Sequence, residues 1–249
     1  MPWWGTLIAT TLGLALAAEA GFRAAPRSDS ELSARQKSPV SVVVAAMLGL
    51  LGLLLGFSFS MVNTRFDARR SLVLADANAI STSFLLAEVL PDPHSEKVQA
   101  LLREYVDLRI EADTEPELAL ALERSSTLHD ELWAEAVAIA DLEPLAQTTQ
   151  LFVSSLTELI DIHESRVTVA LYQRMPGPVK YVLYIAALLA LGAVGFSAGL
   201  EATRVGLATA ALVLAVASVM TLILELDRPL GSLVDVNERS MQDVGEMMR

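Results

Sequence analysis

SPVSVVVAAMLGLLGLLLGFSFSMVNT, from Ser38 to Thr64, runs for 27 positions without a charged residue and ends against Arg65. A hydrocarbon layer of roughly 30 Å needs about 20 apolar residues in helical form, so this stretch is long enough to cross a bilayer. It carries glycines at Gly49, Gly52 and Gly56, although glycine costs about 1 kcal/mol against alanine inside a helix. That cost points to close helix packing or a pore rather than a plain anchor. Arg65, Arg69 and Arg70 follow at once and mark the exit from the membrane.

Three other runs lack charge: Pro2 to Ala18, Tyr181 to Leu200 and Val205 to Leu224. The last two meet the span length. The first is short enough to be read alternatively as a signal-like segment, with small residues at Ala15, Ala17 and Ala18 for cleavage but no basic residue before its apolar part. The chain is 249 residues long and 53% apolar. No stretch alternates with a strand period, and the segment between the second and third spans has apolar residues at helical spacing. Leu101, Tyr105 and Leu108 share one face there. Leu118, Leu122 and Leu132 form a less regular face, and Leu156, Leu159, Ile160 and His163 a third. The sequence therefore predicts an all-α, multi-pass membrane protein with four transmembrane helices and a helical cytosolic insert between the second and third. The expected order is a first span over 1–22, a basic loop over 23–39, the candidate pore helix over 40–64 and an acidic insert over 65–177. A third span over 178–200, a fourth over 204–226 and a tail over 227–249 follow.

The formal charge is −12. Between Arg65 and Arg174 lie 9 basic and 20 acidic residues, which places −11 of that charge in the insert. So acidic a surface argues against nucleic acid as a partner, because phosphate binding needs clustered Lys and Arg. The absence of cysteine excludes disulfides, thiolate metal sites and cysteine nucleophiles. His94, His129 and His163 have no metal-ligand spacing and read as structural or surface residues. No nucleophile elbow, phosphate loop or dinucleotide fingerprint occurs. The expectation is a protein without enzyme activity, metal or cofactor. Arg103 with Asp107 and Arg109 with Asp113 sit one turn apart and read as solvated helix faces. Basic residues near span ends favour a cytoplasmic N-terminus, with Arg65, Arg69, Arg70, Arg166, Arg174, Lys180, Arg228 and Arg239 inside. Arg23, Arg27, Arg35, Lys37 and Arg204 then lie outside.

On a helix with 3.6 residues per turn, Gly49, Leu53, Phe57 and Met61 form one stripe, and Gly52, Gly56, Ser60 and Asn63 its neighbour. Small residues let helices approach closely in lipid, where Gly52, Gly56, Gly195 and Gly199 are the candidate packing positions. Bulky apolar rings around a pore gate by dewetting.

Gly56-Phe57, seven further residues and then Arg65-Phe66 resemble the second span of the bestrophins, which carries Gly-Phe, seven residues and Arg-Trp. Asp67-Ala68-Arg69-Arg70 is similar to the continuation in bacterial bestrophins. Asp227, Pro229 and Gly231 resemble the acidic-x-Pro-x-Gly segment after the last bestrophin span. The resemblance runs from about Val40 to Asp235 and is nearest to the bestrophin-like proteins of bacteria. It implies a homo-oligomer, pentameric in that family, in the bacterial inner membrane. It further implies that the second span lines a central pore for small inorganic ions, chloride preferred, within membrane lipid. The implied neck positions are Gly49, Leu53 and Phe57. Gly49 departs from the bulky residue expected, Phe66 replaces a tryptophan, and the acidic run of a calcium clasp is missing after Gly231. A non-conducting scaffold or signalling protein, binding a partner through the insert, stays open as the alternative.

Overall fold

The computed structural model describes residues 2–26, 31–111, 115–142, 144–171, 174–201, 206–228 and 239–249. Eight α-helices form among them: α1 Trp3–Ala24, α2 Glu31–Ala87, α3 His94–Glu111, α4 Glu115–Leu142, α5 Gln147–Leu171, α6 Gly177–Leu200, α7 Gly206–Leu226 and α8 Arg239–Met247. No strand occurs among the described residues. Four helices are long and apolar enough to cross a membrane: α1, α2 from Pro39, α6 and α7.

Charge marks where a helix leaves lipid, not where it ends. The second helix already runs at Glu31, inside the segment expected as a basic loop, and continues past Thr64 to Ala87. Glu, Leu, Ala, Arg, Gln and Lys between 31 and 37 are good helix formers, and nothing from Arg65 to Ala87 breaks a helix. Its apolar and charged parts fall into different compact units. One unit comprises 1–64 and 175–228, the other 65–174 and 229–249.

The first unit is built on backbone proximity. A Cβ placed on Gly195 would collide with the carbonyl oxygen of Ala18, and one on Gly21 with that of Gly192. At Gly199 it would meet the Phe22 carbonyl oxygen at 2.6 Å. The α1 and α6 backbones therefore touch along three turns, as small residues allow where packing rather than water drives association. Leu14, Ala18, Leu191, Ala217, Met220 and Ile223 fill the space beside them, and the Thr10 and Tyr184 hydroxyls meet at 3.3 Å.

The second unit is a helical core like that of a soluble domain. Ile80 and Phe84 of α2, Leu102 and Tyr105 of α3, Leu128, Leu132 and Ile139 of α4, and Phe152, Leu156 and Leu159 of α5 are buried together. The buried stripe of α3 is Val98, Leu102, Tyr105 and Val106, so the Leu101 and Leu108 expected on it lie only at its margin. The tail is not merely polar. Met241, Val244 and Met248 recur at one-turn intervals and are buried, Gly245 sits over Val106 and Ile110, and Arg103 Nε donates to the Met248 carbonyl at 2.7 Å.

Candidate functional site

The span of α2 is the least covered of the four. Within the most apolar 18 residues of each helix, 6% are buried in α2, against 17% in α1, 28% in α6 and 33% in α7. Between Pro39 and Thr64 only Leu51, Ser58 and Val62 are buried. At 100° per residue these three fall on one line of the helix. Gly49, Leu53, Gly56 and Ser60 fall on the opposite line, with Phe57 beside them. Leu53 is 55% exposed and Phe57 66%. A Cβ added at Gly49, Gly52 or Gly56 would meet nothing within 4 Å. The expected neck residues thus share the side of α2 opposite its buried residues, together with the small stripe. Gly195 and Gly199, by contrast, lie against α1 as described.

Beyond the span, the Arg69 guanidinium carbon stands 5.9 Å from the Phe66 ring centre. Arg69 is buried, and Arg65 carries a buried Nη1 with no hydrogen-bond partner among the described residues. Where α7 ends in the first unit, Asp227 has a defined task. Its Oδ1 accepts the Met175 N–H at 2.7 Å, and its Oδ2 pairs with Lys180 Nζ at 2.7 Å. The carboxylate therefore satisfies a backbone donor at the entry to α6 and neutralises a lysine in its first turn. Arg228 Nη1 lies 2.7 Å from buried Glu225 Oε1, while its Nη2 donates to Thr6 Oγ1 at 3.2 Å. Pro229 and Gly231, the rest of that motif, lie outside the described residues.

The insert holds a polar constellation that sequence reasoning missed. Asp76 of α2 is fully buried. Its Oδ2 accepts from Arg166 Nη1 at 2.7 Å and from Arg109 Nη2 at 3.2 Å. Arg109 Nη2 also donates to His163 Nδ1 at 3.1 Å, and the Tyr105 hydroxyl lies 2.9 Å from the same nitrogen. The His129 and His163 rings meet edge to face, 4.6 Å between centres. Arg109 is therefore no solvated helix-face residue, and its expected neighbour Asp113 lies outside the described residues. Tyr105, four positions before it, shares its face of α3, and that face is the buried one. Arg103 likewise serves the core, with its guanidinium carbon 5.0 Å from the Phe84 ring centre. His94 is a partly buried partner of Glu135, Nδ1 to Oε2 2.6 Å.

Burial first, then the Arg109 charge, hold the pKa of His129 down at about 4. The same two causes, with His129 and Arg166, hold that of His163 at about 3. Burial raises the Tyr105 phenol well above its ordinary value.

A bestrophin-like domain model matches residues 6–241. Among curated proteins none matches the chain. Solved structures of a bacterial bestrophin homologue from Klebsiella pneumoniae are similar in fold. One determined by zinc phasing superposes with a TM-score of 0.66 at 16% identity and covers 97% of each chain. A point variant of that homologue reaches 0.68 at 14% identity, covering 99% of this chain and 97% of its own.

Proposed function

Since the chain belongs to the bestrophin-like family, we propose that it is an oligomeric ion channel whose α2 helices surround a central pore. The observation that carries this reading is the exposure of Leu53 and Phe57, on the side of α2 opposite Leu51, Ser58 and Val62. A helix whose apolar face lacks cover from its own protomer needs lipid or other copies of itself against it. Five copies, the number in the bestrophins, would turn that face toward a symmetry axis, with Phe57 and Leu53 as successive apolar rings and Gly49 as an open position. Apolar constrictions of this kind control conduction by dewetting. Gly52 and Gly56, with open space at their Cα atoms, supply a smooth surface for the neighbouring subunit.

In this reading the protein is multi-pass in the bacterial inner membrane, bounded by lipid, with the insert and tail in the cytoplasm and no enzymatic activity. Small inorganic ions are the cargo, with chloride preferred on family grounds. The −11 charge of the insert is then a solvated outer surface and not a vestibule lining, because rings of carboxylates favour cations.

Purified protein reconstituted in liposomes is the test, with chloride, sodium and potassium fluxes recorded beside the particle mass in detergent. A pentameric mass and flux above that of empty vesicles are expected, with flux raised several-fold by Phe57→Ala. Monomeric protein, or vesicles no leakier than controls to all three ions, would reject the channel.

A scaffold reading rests on one specific observation. Leu120, Trp133, Val137, Leu142 and Leu145 are exposed on the insert, Leu145 at 90%. Scattered apolar residues on a surface are ordinary, so this reading ranks second. Silent Phe57→Ala with altered capture of a soluble partner by Leu145→Ser would favour it.

A further inference from the structure

Arginine has no lone pair to accept a hydrogen bond. The contact from Arg109 Nη2 to His163 Nδ1 at 3.1 Å therefore fixes the direction of that bond, and with it the state of the ring. Nδ1 must be unprotonated, and His163 is neutral with its proton on Nε2. The Tyr105 hydroxyl, 2.9 Å away, donates to the same nitrogen. His129 is constrained differently. It is 7% exposed, its ring faces those of His163 and Tyr105, and its Nε2 has no partner among the described residues. An imidazolium there would bury a charged N–H with nothing to receive it.

The charged groups around the two rings come from four helices. From α2 comes the Asp76 carboxylate, and from α3 come Arg109 and Tyr105. Helix α4 contributes His129, with Asp130 next to it on the exposed side, and α5 contributes His163 and Arg166. One carboxylate faces two guanidinium groups. A proton arriving on His163 would turn its acceptor into a donor aimed at Arg109, and would place two positive charges 3.1 Å apart.

We propose that this cluster is a proton-operated latch, which clamps α2, α3, α4 and α5 of the insert together while both histidines are neutral and releases them on acidification. Helices α2, α3 and α5 meet at a hub of one buried carboxylate and one shared imidazole nitrogen, and α4 joins them through the His129 ring packed on Tyr105 and His163. Loss of the Nδ1 acceptor therefore removes both hydrogen bonds that tie α3 to α5 there and disturbs the ring contact to α4. In an opened insert both imidazoles take up protons near pH 6.5. In the closed cluster they do so only at about 4 and about 3. Between these limits the opened form binds more protons, so falling pH favours opening, and above them pH has no effect through these groups. The inference concerns the insert alone and stands whether or not the protein conducts.

Amide hydrogen exchange on the full-length protein in nanodiscs tests it, read as opening constants for α4 and α5 after correction for intrinsic exchange. Each histidine contributes about tenfold per pH unit below 6.5, so the opening constant should rise about a hundredfold between pH 7.5 and 5.5. His163→Asn, which offers an amide oxygen where Nδ1 stood, should lower that to about tenfold, and adding His129→Phe should flatten it. A wild-type response under about threefold overturns the latch, and so does a double variant that keeps the full wild-type response. Should the double variant fail to fold, the wild-type profile and the single variant still decide. Ion flux from the same preparations is a separate readout, so an inactive pore and a pH-insensitive insert are told apart.

Discussion

Asp76→Ala should destabilise the insert by about 3–5 kcal/mol, the loss expected when one partner is removed from a buried ion pair. The side chain is fully buried and its Oδ2 receives both Arg109 and Arg166. Without it the Arg109 and Arg166 guanidinium groups lose the buried carboxylate they share, beside Tyr105 and His163. A typical domain has only about 5–15 kcal/mol to lose, so the variant should unfold the insert at temperatures the wild type tolerates. The emission of Trp133, isolated by replacing Trp3 and Trp4 with phenylalanine, reports this in a urea titration. Asp130→Ala is the control: an exposed acid beside His129, whose loss should cost under about 0.5 kcal/mol. A loss at Asp76 no larger than that at Asp130 would mean that the carboxylate is not the hub described.

The second large effect belongs to the membrane unit. Gly195→Leu should separate α1 from α6, because the first added carbon already overlaps the Ala18 carbonyl. A flexible side chain could swing aside, but a backbone carbonyl in a helix cannot. The cost should reach the top of the roughly 1–3 kcal/mol range for overpacking, or exceed it. Gly13→Ala makes the contrast, since a Cβ there meets nothing within 4 Å. Removing that glycine should stabilise the helix by up to about 1 kcal/mol. Thermal denaturation of the two variants in the same detergent should move in opposite directions. Equal and small shifts at both positions would contradict the close approach.

Lipid imposes a length and forbids charge, and both rules are written in the linear order of residues. That is why four spans and a helical insert could be read from the chain. The extent of α2 could not, because an uncharged run ends at the bilayer while hydrogen bonding along the helix continues through Arg65 to Ala87. The stripe of Gly49, Leu53 and Phe57 was visible as a periodicity, but which way it faces depends on Leu51, Ser58 and Val62 finding cover from other spans. The latch residues were least visible. Asp76 and Arg166 stand 90 positions apart and Arg109 and His163 54 apart, so local charge pairing suggested neighbours for Arg109 that the tertiary structure replaces. Arg109 follows Tyr105 by one turn, and that spacing was the one available sign that it faces inward. The short α8 was overlooked for a similar reason: Met241, Val244 and Met248 make too brief a pattern to stand out before a docking surface is known.

The contact of Asp227 with Met175 and Lys180 also bears on how the protein is made. Lys180 leaves the ribosome long before Asp227 does, so the ammonium and the bare amide at the mouth of α6 must wait, hydrated, until α7 has been synthesised. Only then can the two segments settle as a hairpin with that lysine neutralised. Completion of α7 is thus the event that seals α6.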